Sequence, residues 1–228
     1  MTERRKTMYQ CCIFDLDGTL LDTLTAISYT CNVTLEAFGY ASIERERYKF
    51  LAGDGAGKLI ERALLEQEGK DVSRYEEVLA LYQENFAKYC MYQVKPYDGI
   101  PELLEFLKKE GIKITVLSNK PHLRAIDNIE TVFGKGYFDH IQGEREDVKR
   151  KPDPSGVYQI MNQLGFEQKD CLYLGDTNTD MQTGKNAGLD TVGVTWGFRP
   201  EEELLAFHPA YIAHHPSDIQ KIIESNKM

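Results

Sequence analysis

Across its 228 residues the chain has no apolar run approaching the ~20 residues needed to cross a bilayer. It also lacks a surplus of positive charge: 36 acidic residues outnumber 27 basic ones, for a formal net charge of -9. That balance argues against nucleic acid and anionic membrane as main partners. A small anionic substrate is still admitted, because a single cation can reverse the field locally. The opening stretch Met1 to Lys6 is basic, but the apolar segment behind it is broken at Gln10 and stops at Asp15, too short for an export leader. Zinc spacing is absent. The five cysteines, Cys11, Cys12, Cys31, Cys90 and Cys171, are odd in number, and three of them sit in apolar runs as small hydrophobes. A reducing, cytoplasmic setting is the expectation. The five histidines show no triad or metal spacing, and there is no internal repeat.

What is present is an alternation. Short runs rich in Val, Ile, Leu and Tyr predict buried strands at Gln10 to Phe14, Ile112 to Leu117, Cys171 to Gly175 and Thr191 to Thr195, with weaker ones at His140 to Gln142 and Ala210 to Ala213. Helical stretches separate them at Ile100 to Glu110, Pro121 to Phe133, Pro154 to Leu164 and Thr179 to Ala187. Gly111, Gly165 and Gly188 stand just past three of these helices as stop signals. Strands alternating with helices imply an α/β fold with a parallel sheet covered on both faces. The interval between the first two strands is far longer than the roughly 30 residues of a whole strand–helix–strand unit. Its excess reads as helix throughout: Thr23 to Phe38, Glu44 to Phe50, Ala56 to Glu68 and Ser73 to Tyr89. Residues 22–95 are therefore expected to form an inserted all-helical cap, with 1–21 and 96–228 forming the core.

Chemistry concentrates at the predicted strand ends. Asp15-Leu16-Asp17-Gly18-Thr19 follows the first strand, and two residues of extended chain bring both carboxylates to one side. Gly175-Asp176-Thr177-Asn178-Thr179-Asp180 follows another. It is not an EF-hand, since Met181 and Ala187 stand where glycine and glutamate belong. As plain structure, the same segment predicts a loop with Asn178 or Thr179 as the helix N-cap. Ser118-Asn119-Lys120 follows the second strand, and Lys151-Pro152-Asp153-Pro154 precedes a helix, with Asp153 expected as its N-cap. In an open parallel sheet ligands bind beyond the carboxyl ends of the strands, so these pieces are expected to converge. Converging aspartates need a divalent cation, and hard oxygen ligands favour Mg2+. A carboxylate nucleophile, a cation, a lysine and a hydroxyl together suit phosphoryl transfer.

Other readings are weaker. Gly53 to Lys58 fails as a Walker loop, because Ala52 and Leu59 occupy two of its defining positions. Ser118 lacks the Gly-x-Ser-x-Gly setting of a serine hydrolase. Trp196-Gly197-Phe198-Arg199 follows a strand and reads either as a border of the site or, the preferred expectation, as packing of the sheet's edge.

With these residues in place, the sequence resembles the haloacid dehalogenase superfamily of phosphohydrolases, whose four motifs it matches in order. Within it the likeness is to the phosphoglycolate phosphatase group, through Leu51-Ala52-Gly53-Asp54-Gly55-Ala56-Gly57, Glu61-Arg62-Ala63-Leu64 and Ser118-Asn119-Lys120-Pro121. The resemblance implies a Rossmann-like, doubly wound core with a cap. It implies Asp15 as nucleophile and Asp17 as general acid and base. The Mg2+ ligands would be Asp15, the Asp17 carbonyl and Asp176, supported by Asp180. Ser118 and the Asn119 amide would hold the phosphate, and Lys151 would neutralise it. Apart from the resemblance, the Gly53 to Lys58 stretch, with Gly53 and Gly55, reads as a cap loop approaching the substrate through its backbone N–H groups or as a turn between two cap helices. The expected partner is a small phosphorylated metabolite, the expected assembly a monomer or homodimer. A sugar-phosphate mutase, a hydrolytic dehalogenase and a receiver-like phosphate sensor are the alternatives.

Overall fold

The computed structural model describes residues 9–67 and 72–226. Glu68, assigned above to a helix, lies outside the described residues, as do the first eight and the last two. Six strands form one parallel sheet: β1 (Cys11–Phe14), β4 (Lys113–Pro121), β5 (His140–Glu144), β6 (Cys171–Gly175), β7 (Asp190–Val194) and β8 (Tyr211–Ala213). Their order is β5-β4-β1-β6-β7-β8. β1 therefore pairs with β4 on one side and β6 on the other, with Cys11 facing Lys113 and Cys171 in register. The chain runs outward from β1 in both directions, so a crevice opens beyond the carboxyl ends of β1, β4 and β6.

Strand alternation explains why the runs read as continuously apolar. Cys12 and Phe14 face a layer built from α5 (Ile100–Lys109), α6 (His122–Phe133) and α10 (Pro216–Ser225), through Leu103, Leu107, Ile129 and Ile219. Cys11 and Ile13 face the opposite layer, where Val157 and Ile160 of α7 (Ser155–Leu164) and Ala187 of α8 (Asn178–Ala187) pack. Each such Leu, Ile or Val, fully buried, stabilises the fold by about 1.5–3 kcal/mol. The five cysteines are free and buried, as expected for Cys11, Cys12 and Cys171 and found also for Cys31 and Cys90.

Between β1 and β4 lies a separate helical layer: α1 (Leu24–Ala37), α2 (Tyr48–Leu51), α3 (Ala56–Leu65) and α4 (Tyr75–Tyr89). Leu24, Cys31, Leu35, Tyr48, Ile60, Leu64, Val78 and Phe86 form its own apolar cluster. The chain enters and leaves it through a feature absent from the sequence reading, the two-residue antiparallel pair β2 (Leu21–Asp22) and β3 (Lys95–Pro96). Two residues per strand are too few to show a period. The short helix α9 (Glu201–Leu205) and α10 were also not anticipated, although Pro216 at the first turn of α10 is a start signal. Among the described residues no helix is long and apolar enough to cross a membrane.

Two capping expectations need correction. The N-cap of α8 is Thr177, which accepts from the Asp180 amide while the Asp180 side chain accepts from the Thr177 amide. The N-cap of α7 is Pro154, with Asp153 one residue earlier, taking the Ser155 amide at 3.0 Å.

Candidate active site

Asp15 emerges directly from β1, and its amide still bonds the Leu174 carbonyl of β6 at 2.8 Å. Its Oδ1 lies 2.7 Å from Lys151 Nζ, and the same ammonium is 2.7 Å from Asp180 Oδ1. All three side chains are under a tenth exposed. Lys151 is held by Asn119, which accepts from its amide at 2.8 Å and donates to its carbonyl at 3.2 Å. Two adjacent strand-end loops are thereby locked together.

Asp180 has little left to offer a ligand. One oxygen takes Lys151 and the Tyr173 hydroxyl; the other takes the Thr177 amide and hydroxyl. Asp176 accepts from the Thr19 hydroxyl at 2.9 Å and from the Phe198 amide at 2.7 Å. Glycine is required around it. At Gly18, whose φ is +83°, an added Cβ would fall 2.2 Å from Asp176 Oδ2; at Gly197 it would fall 2.3 Å from Asp176 Cβ. The Trp196–Arg199 segment does not merely pack the sheet's edge. Trp196 Nε1 donates to the Thr19 carbonyl, Phe198 fixes Asp176, and Phe198 enters the apolar cluster of the helical insertion.

Carboxylate oxygens of Asp15, Asp176 and Asp180 lie within 4.8 Å of one another. Burial, then the charge of Asp180, pushes the Asp15 carboxyl up to about 7 even though Lys151 pulls it down. Asp176 is pushed well above the usual carboxylate range by burial and by its two acidic neighbours. Burial works against the Lys151 charge as well, but Asp15 and Asp180 overcome it and keep it protonated. One lysine among three buried carboxylates leaves excess negative charge. The donor set is all oxygen, so the residues present fit a hard divalent cation such as Mg2+.

The carboxylate of Asp17 turns away from this cluster and bonds Lys120 Nζ at 2.8 Å. Asp15, Asp17, Ser118, Asn119 and Lys120 form the floor of a cavity of about 60 Å3. Ile27, Ala56, Leu59, Tyr82 and Phe86 roof it from the helical insertion, with Gly53 and Gly55 at one side. The Gly53 carbonyl accepts from Asn119 at 3.4 Å. Thr179 and Arg199 fasten this loop to the core and Arg62 braces it from within the insertion, contacts assigned to none of them from the sequence. Thr179 donates to Asp54 at 2.6 Å, Arg62 pairs with Asp54 at 2.5 Å, and Arg199 donates to the Ala52 carbonyl at 2.9 Å. Burial opposes it, yet the Thr179 hydroxyl and Arg62 hold the Asp54 carboxyl below the usual carboxylate range. Lys120 was missed too. Its spacing of two from Ser118 on an extended strand was the available signal, the same rule that paired Asp15 with Asp17.

A parallel sheet of this order, with an acidic, lysine-bearing crevice beneath a helical insertion, defines a class. The chain belongs to the haloacid dehalogenase-like hydrolases, whose family profile matches residues 12–194. It is 33% identical to a phosphoglycolate phosphatase of Aquifex aeolicus, covering 94% of this chain and 96% of that protein. It is 28% identical to phosphoglycolate phosphatase 1 of Pseudomonas aeruginosa, covering 91% of this chain and 77% of the other. A crystal structure from Lactobacillus delbrueckii subsp. bulgaricus, provisionally designated a phosphoglycolate phosphatase, superposes with a TM-score of 0.89 at 28% identity, covering 95% of this chain and 99% of that one.

Proposed function

We propose that the chain is a magnesium-dependent phosphatase, similar to phosphoglycolate phosphatases, that hydrolyses a small phosphomonoester through an aspartyl-phosphate. The observation that carries this reading is the Asp15 carboxylate, buried against Lys151 and opening into the same cavity as Asp17, Ser118 and Asn119.

In the first step an oxygen of Asp15 attacks phosphorus, and the bond to the leaving alkoxide breaks. Asp17 gives that alkoxide its proton. Asp17 then takes a proton from water, which attacks phosphorus and releases Asp15. The Ser118 hydroxyl and the Asn119 amide orient the phosphate oxygens, while Lys151 neutralises them and keeps Asp15 in place. Asp15, the Asp17 carbonyl and Asp176 would hold Mg2+, with Asp180 supporting through Lys151 and Thr177. Its chemistry there is to offset charge on the phosphoryl oxygens. Residues 22–95 act as the cap over 1–21 and 96–228, excluding bulk water from the cavity. Gly53 and Gly55 border the substrate from that side.

Phosphate release from a panel of small phosphomonoesters, with Mg2+ and after exhaustive chelation, tests the proposal. Release that stops on chelation and returns with Mg2+ is expected. Undiminished release after chelation sinks the metal assignment, and release from no ester sinks the phosphatase. Interconversion of sugar phosphates without release selects the mutase.

A further inference from the structure

Lys120 has no task in the chemistry just described, yet it lies against the acid that this chemistry uses. Its ammonium is 2.8 Å from Asp17 Oδ1, with the lysine side chain 2% exposed and the aspartate 19%. Among the described residues Asp17 Oδ2 has no hydrogen bond, which leaves it for a group in the cavity that Asp17 lines. Phe86 of α4 covers the ammonium from the roof, 5.0 Å from Nζ to the ring centroid, and Tyr82 stacks on Phe86 at 5.5 Å. From below, the Lys120 amide donates to the Ser118 hydroxyl at 3.3 Å, so the strand end that presents Ser118 also carries this ammonium.

Two residues apart on extended chain, Asp15 and Asp17 are due to point to one side, where their charges repel. The fold separates them by giving each an ammonium. Lys151 ties Asp15 to Asp180, at 2.7 Å from each. Lys120, at the end of β4, draws Asp17 out of that cluster. A covered ion pair adds little net stability, because desolvating both ions offsets their attraction; what it supplies is direction. We infer that Lys120 is the positioning residue of the acid–base group, holding Oδ1 so that Oδ2 is aimed at the ester oxygen. The inference rests on the phosphatase reading and gives Lys120 no contact with substrate. As the P–O bond breaks, the proton on Oδ2 passes to the leaving oxygen; in the second step Oδ2 takes one from the attacking water. Released from Lys120, the carboxylate rotates, and proton transfer loses its alignment.

The test is a double-mutant cycle of Lys120→Met with Asp17→Asn, read as release of labelled phosphate from the alkyl phosphate of the panel that the wild type hydrolyses fastest. Lys120→Met should lower kcat by about 10- to 100-fold, the range for a hydrogen bond to a charged group, with KM little changed. Added to Asp17→Asn it should cost less than about 3-fold more, since the group it aims is already gone. Lys120→Arg, which keeps the charge, should recover part of the loss. Acetyl phosphate supplies a second readout, because acetate leaves without a proton. Rapid quench should show phosphoenzyme formation in Lys120→Met slowed less with acetyl phosphate than with the alkyl ester. Circular dichroism checks the fold. Should Lys120→Met not fold, Lys120→Gln, which keeps a neutral donor, takes its place in the cycle. Losses that multiply in the double variant, or equal slowing with both substrates, overturn the inference and leave the phosphatase standing. Release from no phosphomonoester removes both readings together.

Discussion

The two walls of the cavity are made by opposite means. The floor is polar, charged and cross-bonded: Asp15 and Asp180 share the Lys151 ammonium, and Asn119 grips the Lys151 backbone from the neighbouring strand. The roof is a packed apolar surface that borrows Phe198 from the core to complete its cluster. A network of charge-assisted hydrogen bonds fixes direction, whereas a packed apolar surface fixes shape. The floor is thus built to hold one geometry. The roof is joined to it through Phe198, whose side chain packs in the helical cluster while its amide holds Asp176.

The largest expected effect strikes the floor. Asp15→Asn keeps the shape of the side chain but removes the attacking oxygen, so turnover should fall by about 10,000-fold or more. Circular dichroism should show the fold retained. Near-normal phosphate release from that variant would remove Asp15 from the mechanism.

Asp17 stands two residues away and sharpens the contrast, because its carboxylate lines the cavity and bonds Lys120 rather than joining the acidic cluster. Asp17→Asn should cost about 100- to 10,000-fold, the usual contribution of a general acid–base group. The loss in the first step should be smaller for an aryl phosphate, whose leaving group departs without a proton. Rapid-quench labelling should then find phosphate accumulating on the Asp17→Asn protein and none on Asp15→Asn. Absence of covalent phosphate from wild type and both variants favours direct attack by water.

The floor was legible in the sequence because it follows strict local rules. Asp15, Ser118 and Asp176 stand at the ends of apolar runs, and strand alternation with sheet topology brings them together. The roof was legible as helix but not as a surface, since which residues face the cavity depends on how four helices pack. The links between the two walls were least visible. Asp54 and Thr179 are 125 positions apart, and Arg199 meets Ala52 across 147. No spacing rule reaches that far. The preferred reading of Trp196–Arg199 as edge packing gives way to its alternative, a border of the site, for the same reason: its contacts to Thr19 and Asp176 are long-range.

Those links supply the smallest predicted effect and the one most specific to this closed arrangement. Thr179 lies in the first turn of α8, beside the Thr177–Asp180 capping pair, and its hydroxyl reaches Asp54 on the insertion. Thr179→Val keeps the volume and branching of the side chain but removes the donor. Asp54 still has Arg62, so no charge is stranded, and the cost should be that of one ordinary hydrogen bond. On that scale kcat/KM should fall by about 3- to 10-fold, through weaker seating of the loop over the cavity. Asp54→Asn keeps a weaker acceptor for the same hydroxyl but also removes the charge facing Arg62, so its loss should be at least as large. Combined with Thr179→Val it should add less than its separate effect, since both act on one contact. An exposed pair on the same insertion provides the control. Lys58–Glu61 is half in solvent, and Lys58→Ala should leave kcat/KM unchanged. If Thr179→Val behaves like Lys58→Ala, the contact does not hold the roof to the floor, and closure rests on the packing of Phe198 in the helical cluster instead.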